Sequence, residues 1–415
     1  MQKILILVLF VTILPIYVFA ETYDKSKCDI IETDVNVINK LKEQGIYKEN
    51  KTGVVCFNIE GSSFMFPLKN GKTDGVVLGY NKSSILKQET PYKNGKKEGI
   101  AKFYYKSGAL EAKTPFKNDK AEGLKEEYYY VSGALREEIP FKNGKREGIG
   151  KEYYESGALM QEIPFKNDIK EGIRKSYYES GALEWETPYK NGEKEGIEKW
   201  YYESGALVWE TPYKNGIVEG IEKSYYESGA LHIERPYKND KREGIEKWYY
   251  ESGALDAEIP YKNDKREGID KGYYESGALR RETPYKNGKE EGIEKEYDES
   301  GALKIERPFK NGKKEGIAKS YYENGALMAK IPFKNGKVEG IGKVYYESGA
   351  LMQEQPYKND KVEGIRKLYM ENGRLFSTLT YQNDKVISGK CANGRKWTNA
   401  EINNFEKGLD VNCGR

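Results

Sequence analysis

Four tryptophans in this sequence fall at two recurring places. Trp185 and Trp209 stand two residues after an Ala-Leu pair, and Trp200 and Trp248 stand directly before a Tyr-Tyr pair. Indole rings at such positions can stack on sugars or anchor a protein surface. They can equally cover neighbouring strands, and that plainer reading stands beside the first. Catalytic chemistry is poorly provided for. His232 is the only histidine, so a Ser-His-Asp or Cys-His site lacks a distinct base. No phosphate loop or dinucleotide fingerprint occurs. Glycoside hydrolysis needs a carboxylate pair set apart from the rest, and here the glutamates recur at equivalent places. We therefore expect no enzyme: no catalytic residues, no cofactor and no metal.

What must position the tryptophans is a repeat. Twelve prolines from Pro91 to Pro356 each open one copy, and the step is 24 residues everywhere except Pro115 to Pro140, where it is 25. Pro67 opens a worn copy and Thr380 a truncated one. The extra residue lies in "EEYYYVSG", where a β-bulge would absorb it. Each copy holds two extended runs: Gly-Ile-x-Lys-x-Tyr-Tyr, as in Gly196 to Tyr202, and Ala-Leu-x-x-Glu-x-Pro-Tyr/Phe, as in Ala206 to Tyr213. Asn-Gly after the second run is a strong hairpin signal, because both residues tolerate positive φ; Asn-Asp is a weaker version. Glu-Ser-Gly between the runs makes a two-residue turn, or a type I turn with Gly in a bulge. Gly and Pro recur too often for helix.

A single hairpin is marginal alone, but stacked copies cover one another. The fold class is therefore all-β: an elongated solenoid-like meander of antiparallel β-hairpin repeats of period 24, with a short capping helix at each end. A two-residue turn at Ser204-Gly205 places Lys199 opposite Glu210 and Trp200 opposite Trp209. Trp185, Trp200, Trp209, Ile233 and Trp248 then share one face, the candidate ligand-binding face. Lys–Glu pairs recur in most copies; Lys113 and Lys330 are exceptions that face Lys102 and Lys319. A three-residue turn would shift these pairs.

The ends differ from the array. Residues 1–20 read as a signal peptide: Lys3, an apolar run from Ile4 to Phe19, and a small-residue exit at Val18 and Ala20. We expect an exported protein, periplasmic, cell-surface or extracellular, with no integral membrane segment after cleavage. Residues 21–66 form an N-terminal cap region with a helix from about Thr33 to Gly45, striped by Val35, Ile38 and Leu41. Residues 67–389 are the array. Residues 390–415 form a C-terminal helical cap, where Thr398 and Glu401 make a capping box, Ile402, Phe405 and Leu409 a stripe, and Gly408 the stop. Cys28, Cys56, Cys391 and Cys413 allow three pairings. Two precede the array and two follow it, so Cys28–Cys56 and Cys391–Cys413 are the simplest. Metal ligation is the weaker alternative. Lys plus Arg is 69 and Asp plus Glu is 66, interleaved throughout. No basic face stands out, so nucleic acid is not an expected partner.

The pattern Tyr202, Gly205, Leu207, Glu210, Tyr213, Asn215, Gly216, Glu219, Gly220 resembles the MORN-repeat variant. The resemblance covers about Pro67 to Gly389. It implies hairpin repeats and a binding or scaffolding role toward a protein or glycan, such as an envelope or host surface component. Similar proteins include YwqK-family antitoxins, which implies the alternative of an antitoxin or immunity protein masking a toxin.

Overall fold

The computed structural model describes residues 23–33, 35–406 and 413. The expected signal segment 1–20, and Gly408 and Leu409 of the C-terminal stripe, lie outside the described residues. The chain divides into two compact units, Met1–Gly196 with Glu203–Gly205 and Ile197–Tyr202 with Ala206–Arg415. Both are built from the same hairpin.

One copy of the second unit shows how the sequence folds. Strand Gly220–Tyr225 pairs antiparallel with Leu231–Lys238. That strand pairs on its other edge with the short Lys241–Arg242 and then with Gly244–Tyr249. The meander expected from the sequence is what forms. Asn239 and Asp240 have φ of 50° and 61°, the two left-handed positions of a type I′ turn. At Glu-Ser-Gly the second of the two anticipated turns is used. The Gly229 N–H donates to Tyr226 O at 2.8 Å, and Gly229 has φ 87°. This three-residue loop shifts the register by one, so Tyr225 faces Leu231. A bulge at His232 shifts it back, so Ser224 faces Ile233 and Lys223 faces Glu234. The expected Lys102–Lys113 and Lys319–Lys330 oppositions therefore stand.

A second irregularity recurs within each full copy. Tyr237 faces Arg242, yet Ile233 faces Trp248, so the following strand carries two extra residues. Gly244 takes φ 118° there, and an added Cβ would lie 3.1 Å from Cγ of Pro236. Only glycine fits both demands.

The 25-residue copy departs from expectation. Its strand bulge is the same as in the other copies. The extra residue instead enlarges the turn, where the Gly133 N–H reaches back to Tyr129 O at 3.0 Å and Val131 is 87% exposed. A turn open to solvent absorbs a residue without breaking any ladder bond.

Apolar burial concentrates toward the two ends. Helix Val35–Gln44 lays Ile38 and Leu41 on Val55, Phe57, Phe66 and Leu68. Helix Asn399–Glu406 packs Ile402 and Phe405 against Leu379, Tyr381 and Trp397. Its capping box forms: the Thr398 N–H donates to Glu401 at 2.8 Å, and the Glu401 N–H to Thr398 Oγ1 at 3.3 Å. Trp397, unused in the sequence reading, lies across Gly389, where a Cβ would meet the indole at 2.5 Å. The Cys28–Cys56 and Cys391–Cys413 disulfides are both present. Among the described residues no helix is long and apolar enough to cross a membrane.

Candidate functional site

Most repeated residues are committed to ties between copies. The first tyrosine of most Tyr-Tyr pairs reaches back: Tyr225 donates to Glu210 at 2.9 Å and Tyr249 to Glu234 at 3.0 Å. The second reaches forward: Tyr226 donates to the backbone O of Tyr249 at 2.8 Å. Burial, then the bond to Glu210, pushes the Tyr225 hydroxyl up to about 12. The Glu of Glu-Gly also reaches forward. Glu219 accepts the Asn239 backbone N–H at 2.8 Å, and Glu243 accepts that of Asn263 at 2.8 Å. Asn-Asp copies add a backward tie, since Asp240 accepts the Val218 N–H at 2.6 Å. Asn-Asp is thus more than a weaker Asn-Gly.

The positions that vary form one row. In the second unit it runs Trp209, Ser224, Ile233, Trp248, Ala257, Gly272, each directly opposite the next. In the first unit Trp185 faces Ser176 in the same kind of row. Of the residues expected on one face, Trp209, Ile233 and Trp248 stand in this row of the second unit. The members differ in access. Trp209 is 40% exposed and Trp200 38%, whereas Ile233 is buried and Trp185 and Trp248 are half-buried. Ile233 thus packs between strands and offers nothing to a ligand. Trp185 lies under the Arg174 guanidinium, 4.8 Å from its ring centre.

Around Trp248 the row rests on charged groups that the sequence reading did not single out. The Trp248 indole N–H donates to Glu246 at 2.7 Å, and His232 meets the ring edge-on at 5.5 Å. Arg235 bridges Glu246 and Glu222, both at 2.7 Å. Burial opposes the Arg235 charge, but the two carboxylates outweigh it and raise its pKa. Arg242 stacks on Tyr261 at 4.0 Å. One copy further, Asp270 is buried and pushed up to about 6 by desolvation, against the pull of Arg266 at 3.0 Å. Glu222, Glu246 and Asp270 occupy the position three after the Glu-Gly glutamate, and Arg235 the one before a copy's proline. Their only sequence signal was that the first place carries Glu or Asp from Glu198 to Glu294, and that the second carries Arg or Thr in most of those copies, Ile259 excepted.

The opposite face carries a second feature missed in the sequence. The Ile of Gly-Ile stands opposite the proline that opens the next copy, as Ile221 does Pro236 and Ile245 does Pro260. From Ile221 to Ile365 these side chains are 49% to 56% exposed. Their recurrence was the available signal.

Among the described residues no group of three or more His, Cys, Asp or Glu could hold a metal ion. The family model described as "MORN repeat variant" matches ten stretches: 97–118, 146–167, 170–191, 194–215, 218–239, 242–263, 266–287, 290–311, 314–335 and 338–359. Together these exceed half of the chain. No curated protein matches. Among solved structures, a TcdB2-TccC3-Cdc42 crystal structure aligns at 11% identity over 86% of this chain and 22% of that one, with a TM-score of 0.15. The Photorhabdus luminescens Tc holotoxin pore aligns at 12% identity over 84% and 21%, again at 0.15. The chain thus spans about a fifth of the length of these structures, and likeness at that score carries no argument.

Proposed function

This chain belongs to the MORN repeat variant family, and from that premise we propose that it is an exported, non-enzymatic scaffold that binds a protein partner along the variable row. One observation carries the reading. The recurring tyrosines and glutamates are mostly spent on ties between copies, while two indoles in the varying positions, Trp200 and Trp209, stay 38% and 40% exposed. Large aromatic rings kept at the surface are the usual anchors of protein contacts. Export rests on the apolar segment Ile4 to Phe19 and on two disulfides suited to an oxidising compartment.

The test is photocrosslinking in native cells from residue 209, with residue 289 as a control position, together with fractionation and N-terminal sequencing. The proposal expects a mature chain outside the cytoplasm and a protein adduct specific to position 209. Adducts equal at both positions would remove the row from the account. Retention of the chain on polysaccharide, lost on substitution of Trp209, would make the partner a glycan. An intact N-terminus in the cytoplasm, with a tight one-to-one complex, would make the chain an antitoxin instead.

A further inference from the structure

We propose that the surface around Lys330, in the second unit, receives a carboxylate side chain from an acidic segment of a partner protein. It stands apart from the tryptophan reading, because Lys330 follows Ala329 of the variable row and so points to the other face.

The copies on either side show what this position normally holds. Glu354 gathers Lys343 at 3.1 Å, Lys367 at 3.5 Å and the Tyr369 hydroxyl at 3.1 Å. Glu306 gathers Lys319 at 2.9 Å and the Tyr321 hydroxyl at 2.9 Å. The copy between them puts Lys330 where the carboxylate belongs. The register then sets Lys319 opposite Lys330 and Lys330 opposite Lys343. Like charges directly opposed destabilise a sheet. Lys319 and Lys343 turn outward to Glu306 and Glu354. Lys330 is left 5.9 Å from the Tyr345 ring centre, and no hydrogen bond of the Tyr345 hydroxyl occurs among the described residues.

The same substitution occurs once more, and there the chain answers it internally. Lys113 faces Lys102, but the next copy carries Glu126 in place of the usual lysine, 2.6 Å from Lys113, and Tyr128 donates to that carboxylate. At Lys330 the next copy keeps its lysine, Lys343. Among the described residues no carboxylate pairs with Lys330, so the place is open to one from outside. A carboxylate suits the place, since two lysines and a tyrosine hydroxyl hold one in the adjoining copy. Lys319 and Lys343 are each 40% exposed, so the approach is open. A lone solvated ion gains little at such a site, which favours a side chain delivered on a protein surface.

The test compares Lys330→Glu, which restores the repeat, with Lys289→Glu, an equal charge change at an exposed lysine. An oligoglutamate peptide is titrated calorimetrically into the full chain at low ionic strength. The expected result is binding that Lys330→Glu weakens by about tenfold or more and Lys289→Glu by less than about twofold. Lys330→Glu should also raise the urea midpoint, which shows that it folds. Equal weakening by both variants would mean diffuse charge attraction and overturn the proposal, as would no binding by the unmodified chain.

Discussion

At the scale of single residues, the array places ionisable groups where burial sets their behaviour. Asp270 titrates near 6 in the fold, above the usual carboxylate value of 3.8, because desolvation outweighs Arg266 and Arg281. The folded state therefore holds a proton that the unfolded chain releases. That contribution is complete below about pH 4 and is lost as pH rises through about 6. Asp270→Asn should raise stability at pH 7 by on the order of 2 kcal/mol and flatten the pH dependence between 4 and 6. Urea midpoints at several pH values measure it. Tyrosines behave in the same direction. Tyr153, Tyr177, Tyr225, Tyr249 and Tyr273 are each pushed up to about 12, by burial and then by a glutamate bond. Their contribution is intact below pH 10 and lost toward 12. An ultraviolet titration should show a late tyrosine phase that moves to about 10 in denaturant.

At the scale of the element, each hairpin depends on turn geometry and on the ties that leave it. Gly244→Ala would force a side chain into φ 118° and against Pro236, at a cost of about 2 kcal/mol or more. Glu219→Ala removes the acceptor of the Asn239 N–H and should cost about 1 kcal/mol. Chemical denaturation distinguishes the two. The hairpins were legible in the sequence because turn residues and alternation act locally. Even the register came out right, although by two shifts that cancel: the three-residue loop at Gly229 and the bulge at His232. The ties were not legible. Glu219 and Asn239 lie 20 residues apart, and nothing in either residue announces the other. For the site, the common row of Trp209, Ile233 and Trp248 could be read from spacing. Their access could not, since the exposure of Trp209 and the burial of Ile233 depend on how neighbours fill the row.

At the scale of the molecule, cohesion is unevenly distributed. Helix-covered apolar clusters lie in the terminal regions, each beside a disulfide of sequence separation 28 or 22. Each bridge is worth about 3 kcal/mol by loop closure. Contacts in a repeat array are nearest-neighbour, so their loss should stay local. Reduction should therefore speed hydrogen exchange in Gly53–Ile59 and Ser62–Lys69 while leaving Gly220–Tyr225 and Leu231–Lys238 unchanged, as mass spectrometry can resolve.

The reach of the ties has one more consequence. Glu219 holds Asn239 and Glu243 holds Asn263, one copy onward each time. Excising residues 221–244 would bring Asn263 to the place Asn239 held and hand Glu219 an identical donor. Excising one residue fewer would misalign every donor across the seam. The chain can thus gain or shed whole cassettes without relearning how to fold. Its length is an adjustable quantity, counted in copies, and the number of exposed rings it displays can change by duplication or slippage alone.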